Sequence, residues 1–149
     1  MPAVEVVEVT ADNWREVCEL EVRDGQRDFV APVTRYLALC AYDDGPWQPV
    51  ALHEDGRTVG FAMEAVDPTD GSYWIGGLVV DAAEQGRGVG RAAVSKLVQR
   101  ARTRGCPAAA LSYDASNAAA RALYASLGFV ETGETEGDEL VARLALTSG

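Results

Sequence analysis

The chain has 149 residues, with 13 Lys and Arg against 23 Asp and Glu, a net charge of −10 and 48% apolar residues. That length predicts one domain spanning residues 1–149 with a core of its own, and that charge excludes a nucleic-acid partner, whose binding surface has to be basic. No apolar run reaches the roughly 18 residues of a membrane span, and no basic stretch followed by an apolar one opens the chain, so a cytoplasmic protein without a membrane partner is expected.

Three cysteines, Cys18, Cys40 and Cys106, are odd in number and lack metal-ligand spacing, so reduced thiols and no metal are expected. The one histidine is His53. Acidity at this level favours cationic ligands through the field it creates.

Val4 to Val9 is β-branched and reads as the first strand. Trp14, Val17, Cys18 and Leu20 carry helical spacing to about Val22, and Arg23 to Pro32 is a loop. A second helix covers Thr34 to Tyr42 and stops at Asp43-Asp44-Gly45-Pro46. Pro49 to His53 and Thr58 to Val66 are two strands, and Asp55-Gly56 between them predicts a tight hairpin. Tyr73 to Val80 is a third apolar run of strand length, and Val89 to Arg104 repeats apolar residues at three and four. Ala108 to Tyr113 is a further strand, parallel to the Tyr73 strand because a helix crosses between them. A last helix runs from Asn117 to Leu127, and Phe129 to Thr135 and Glu139 to Leu146 close the chain as a hairpin. The fold class is α+β (mixed α/β), a mostly antiparallel sheet holding one βαβ unit.

The chemistry centres on Gln85-Gly86-Arg87-Gly88-Val89-Gly90-Arg91, between that apolar strand and the long helix. The first N–H groups of a helix lack carbonyl partners, and the aligned peptide dipoles place partial positive charge there. Glycines let a diphosphate approach the main chain. A P-loop would need Lys and then Ser or Thr after the last glycine, but Arg91-Ala92 follow Gly90. Gly88-Val89-Gly90-Arg91-Ala92-Ala93 fits a loose dinucleotide fingerprint with Asp114 as its acidic residue, but Asp81 to Arg87 intervene where the first glycine should follow the strand directly.

The loop resembles the Gln/Arg-x-x-Gly-x-Gly pattern of the GNAT (GCN5-related) N-acetyltransferases. Asn117, Ala120, Leu123-Tyr124 and Gly128-Phe129 resemble that family's second signature, Asn-x-x-Ala-x-x-Leu-Tyr-x-x-x-Gly-Phe. Two signatures in this order are far more specific than either alone. Within the family, Asp12-Asn13-Trp14, Gln26 to Pro32, Tyr73-Trp74-Ile75, Leu111-Ser112-Tyr113 and Phe129 to Glu134 are similar to bacterial spermine/spermidine (diamine) acetyltransferases. Gly76-Gly77 departs from the bulkier residue expected beside the cofactor, and permits a bulge or a wider acceptor pocket.

The resemblance implies acetyl-CoA (coenzyme A) as cofactor and direct attack by a primary amine, a polyamine or diamine, as the reaction. It implies that Gln85, Gly86, Arg87, Gly88, Val89, Gly90 and Arg91 hold the diphosphate, with Leu78 and Val80 meeting the pantetheine arm and Asn117 opposite. The Val80 N–H would face the thioester oxygen, and Tyr124 would protonate the leaving sulfur. The base stays open among Glu21, Glu64 and His53; Glu64 is notable as a carboxylate in a central strand. Glu21, Asp28 and Asp67 are candidates for binding a polyamine's distal charges. A small-molecule amine is the expected partner, with a homodimer left open. A peptide amine or aminated antibiotic as acceptor, a non-catalytic coenzyme A sensor and a nicotinamide-binding protein are the competing readings.

Overall fold

The computed structural model describes residues 2–146. In chain order the elements are β1 (Glu5–Glu8), α1 (Trp14–Cys18), α2 (Val33–Tyr42), β2 (Gln48–Glu54), β3 (Arg57–Val66), β4 (Tyr73–Val80), α3 (Val89–Thr103), β5 (Ala108–Tyr113), α4 (Ala118–Ser126), β6 (Val130–Glu136) and β7 (Glu139–Ala145). The strands form one seven-stranded sheet in the order β1-β2-β3-β4-β5-β7-β6. Every pairing is antiparallel except β4 with β5, the pair that α3 crosses between. This is the mixed sheet with one βαβ unit that the hydrophobic periodicity predicts.

Side chains alternate across each strand, so the sheet has two apolar faces. On one, Tyr73, Ile75, Leu111 and Tyr113 pack with Val94 and Leu97 of α3 and with Tyr124 of α4. On the other, Ala51, Phe61 and Met63 pack with Val17 of α1 and Val33 of α2. The β2–β3 turn forms where expected, with Asp55 and Gly56 both at positive φ, 52° and 75°, matching the twist of its strands.

One element ends early. The helix predicted to reach Val22 stops at Cys18. Its continuation is drawn off by tertiary hydrogen bonds: the Glu21 N–H donates to Asp81 Oδ1 at 3.0 Å, and the Glu21 carbonyl accepts from Ala82 N–H at 2.6 Å. That tie brings the α1–α2 connection over the C-terminal end of β4.

Two departures from regular pairing position the site. In β3–β4 the register passes from Phe61↔Val79 to Met63↔Gly76, so Ala62 faces both Gly77 and Leu78. Gly77 takes φ +55°, which suits a bulge and disfavours any residue with a Cβ. Between β4 and β5 the pairing holds only at Tyr73↔Ala109 and Trp74↔Ala110. Beyond Trp74 the two parallel strands diverge.

Candidate active site

The divergence opens two connected cavities, whose shared wall includes Leu78, Asn117, Ala120 and Tyr124. One, of about 320 Å³, runs toward the glycine loop and is lined there by Val80, Gln85, Gly86, Gly88, Val89 and Gly90. The other, of about 500 Å³, opens toward α2 and is lined by Trp47, Met63 and Trp74 and by the ends of β5 and the β6–β7 hairpin.

The loop cavity has the make-up of an anion cradle. Among the described residues, the backbone N–H groups from Gly86 to Arg91 donate to no acceptor; the first donor of the helix is Ala92, to the Gly88 carbonyl. A run of free N–H groups at the start of a 15-residue helix, with its dipole behind it, fits a diphosphate. A Cβ at Gly86 would meet nothing within 4 Å, so that approach is open. Gln85 holds the loop from the side: its Nε2 donates to the Val80 carbonyl at 2.9 Å and to Gln26 Oε1 at 2.7 Å.

The two arginines expected on the diphosphate lie elsewhere. Arg87 bonds to Glu54 at 2.8 Å and to Glu84 at 2.7 Å, and Arg91 donates to Ser126 Oγ. Neither lines the cavity. The two carboxylates outcompete an open loop as partners for Arg87, raising its pKa above the usual arginine value.

Tyr124 stands where the cavities meet. It is 8% exposed, stacked on Tyr113 with ring centroids 5.6 Å apart and against the edge of Phe129 at 6.0 Å. Among the described residues its hydroxyl has no hydrogen-bond partner, yet no fully buried side-chain N or O atom lacks one, so the hydroxyl opens into the cavity. Burial, followed by the nearby Tyr113 and the Glu139 charge, pushes its pKa up to about 12. The phenol therefore keeps its proton throughout the physiological range, as a proton donor must. Asn117 borders both cavities and caps α4, its Oδ1 accepting from Ala120 N–H at 3.2 Å. Leu78, beside the bulge, reaches the junction, whereas Val80 lines only the loop side and has its carbonyl engaged by Gln85.

Glu64, the carboxylate read from its strand as a base, is held for another purpose. It is 4% exposed, and it accepts from Tyr73 Oη at 2.6 Å, from Arg100 at 2.6 and 2.9 Å and from Arg104 at 2.9 Å. Burial alone would raise its pKa, but bonds from Arg100 and Tyr73 outweigh that and leave it below the usual carboxylate value. It lines neither cavity and fastens α3 to the sheet. Glu21, Asp28 and His53 also lie off the cavities, Glu21 and Asp28 exposed and His53 bonded to Thr58 Oγ1 at 3.2 Å. Asp67 does line the larger cavity.

Three further carboxylates join it there: Asp114, Glu136 and Glu139. Among the described residues, no lysine or arginine lines either cavity. Sequence reasoning missed these three because they come from the β5 end and from both sides of the β6–β7 turn. The available signal was the predicted hairpin Glu136-Gly137-Asp138, which brings acids back beside the second signature.

Comparison with known proteins gives the family and the fold. Residues 14–129 match the model of the Acetyltransferase (GNAT) family. A spermine/spermidine N(1)-acetyltransferase of Bacillus subtilis (strain 168) is 28% identical over 141 residues, 90% of this chain and 92% of that protein. The PaiA N-acetyltransferase of Thermoplasma acidophilum, solved in complex with coenzyme A, superposes with a TM-score of 0.71 at 10% identity, over 96% of this chain and 99% of that one. An aminoglycoside acetyltransferase, also with coenzyme A, gives a TM-score of 0.79 at 20% identity, over 96% and 95% of the two chains. The chain belongs to the Acetyltransferase (GNAT) family and is an acetyl-CoA-dependent N-acetyltransferase.

Proposed function

We propose that the protein acetylates a primary amine of a polyamine or diamine such as spermidine or spermine. The observation that carries this is the make-up of the larger cavity: among the described residues, four carboxylates and no basic side chain stand around a tyrosine hydroxyl that has no partner and opens into the cavity. An acceptor with a second positive charge is favoured there, and an acceptor carrying a carboxylate is repelled. Trp47, Trp74 and Met63 supply an apolar floor for a methylene chain between charged ends. The similarity to the Bacillus subtilis polyamine enzyme supports the same reading.

Acetyl-CoA supplies the activated acetyl group. The N–H groups of Gly86 to Arg91 bind its diphosphate, Leu78 and Asn117 border the arm where the cavities meet, and Tyr124 holds a proton for the departing sulfur. Asp67, Asp114 and Glu136 orient the acceptor through its distal ammonium groups.

The test is release of coenzyme A thiol from acetyl-CoA in the presence of spermidine, spermine, putrescine, an aminoglycoside and a peptide with a free N-terminus. Turnover with the polyamines is expected; turnover confined to the peptide or the aminoglycoside overturns the substrate assignment.

A further inference from the structure

The acceptor amine has to shed a proton, and the carboxylate read for that task, Glu64, is occupied elsewhere. A different pair lines the larger cavity. Ser112 Oγ, on β5, donates to Glu139 Oε1, on β7, at 2.8 Å, and both residues line the larger cavity. β5 alternates, with Leu111 and Tyr113 packed on the α3–α4 face, so Ser112 faces the α2 side from which that cavity is entered. Tyr124 reaches the same gap from the α4 side, packed against Tyr113. The Ser112–Glu139 pair and Tyr124 thus reach the gap from opposite faces of the sheet.

We propose that Glu139, acting through the Ser112 hydroxyl, takes the proton from the attacking amine; this rests on the reading of the cavity as the amine site. Among the carboxylates lining that cavity, Glu139 is the one whose charge acts on the Tyr124 phenol, which sets it near the reacting end. Asp67 is turned to Thr69, with bonds of 2.9 and 2.7 Å, and Asp114 to Ser116, with bonds of 2.8 and 2.6 Å. Because Ser112 gives its proton to Glu139, its oxygen lone pairs remain to accept an amine N–H. The ammonium form first passes a proton to Ser112 Oγ while the Ser112 proton passes to Glu139, and the lone pair so freed forms the N–C bond. The C–S bond breaks with its electron pair on sulfur, which takes the Tyr124 proton. The acetylated nitrogen then sheds its second proton, which restores Tyr124, and Glu139 releases its own to solvent.

The experiment compares wild type, Glu139→Gln and Ser112→Ala with spermidine and with hydroxylamine, a nucleophile already neutral near neutral pH. Glu139→Gln is expected to lower kcat with spermidine about 10²-fold. The loss should shrink to below about tenfold with hydroxylamine, which needs no base. Coenzyme A affinity and melting temperature should stay at wild-type values. Ser112→Ala should show the same pattern with a smaller fall. Equal losses with the two nucleophiles, or a rise in KM alone, overturn the assignment. Failure of the polyamine reading would show separately, as wild-type turnover with hydroxylamine and none with spermidine; the comparison then runs with whichever amine the panel selects.

Discussion

Tyr124 combines a buried ring with a hydroxyl that has no partner among the described residues, and those properties make a specific demand on mutants. Removing only the oxygen, in Tyr124→Phe, leaves the stacking on Tyr113 and Phe129 intact. Turnover should fall by about 10²-fold, while coenzyme A affinity, measured by calorimetry, changes little. Because its pKa lies at about 12, no alkaline fall in kcat should arise from this group below about pH 11. Tyr124 and Asn117 were legible in the sequence because their spacing on one helix is local. Glu64 and Arg87 were not, because their partners are distant in the chain: Arg100 and Arg104 for Glu64, Glu54 for Arg87. A strand pattern shows that a carboxylate is buried; it cannot show what pairs with it.

At the scale of elements, β4 is the strand whose irregularities matter. Its two glycines admit aromatic rings from elsewhere: a Cβ on Gly76 would sit 2.9 Å from Trp47 Cη2, and one on Gly77 would sit 3.2 Å from Tyr36 and 3.1 Å from Met63 Cε. Gly76→Ala should push the Trp47 ring into the acceptor cavity, raising KM for the amine while coenzyme A affinity holds; steady-state kinetics with each substrate varied distinguishes the two. Gly77→Ala should cost about 1–2 kcal/mol of stability, since its φ of +55° burdens any side chain. The Gly76-Gly77 pair was visible in the sequence as a bulge, and so was the loop-to-helix cradle. The early end of α1 was not, because the bonds between Glu21 and the Asp81-Ala82 segment join residues about 60 positions apart.

For the whole molecule, the titrating groups define a plateau of stability with two edges. Glu64, Glu131 and Glu134 all lie below the ordinary carboxylate value of 4.5 through bonds to arginine or tyrosine. Their folded pKa values are depressed, so the stability they supply is present above about pH 4.5 and is lost as the pH falls below it. Tyr113 and Tyr124 are shifted the other way, from 10.0 to about 12, chiefly by burial. Their contribution is complete below about pH 10 and disappears as the pH climbs through 12. Thermal melts across the range should therefore be flat between these limits and drop at both ends. No helix among the described residues is long and apolar enough to cross a membrane.

The seam at Tyr73↔Ala109 and Trp74↔Ala110 is short enough to matter beyond the site it opens. Past it, the facing edges of β4 and β5 share no ladder among the described residues, so β1–β4 and β5–β7 are joined there by few main-chain hydrogen bonds. An occupant of the gap that bonds to β4 and touches α4 becomes the missing rung. Amide hydrogen exchange should then slow along Ile75–Val80 and Leu111–Tyr113 when coenzyme A is added, and more so than in the outer strands β1 and β6. The enzyme would be stiffened by the molecule it consumes, and would loosen again each time the thiol departs.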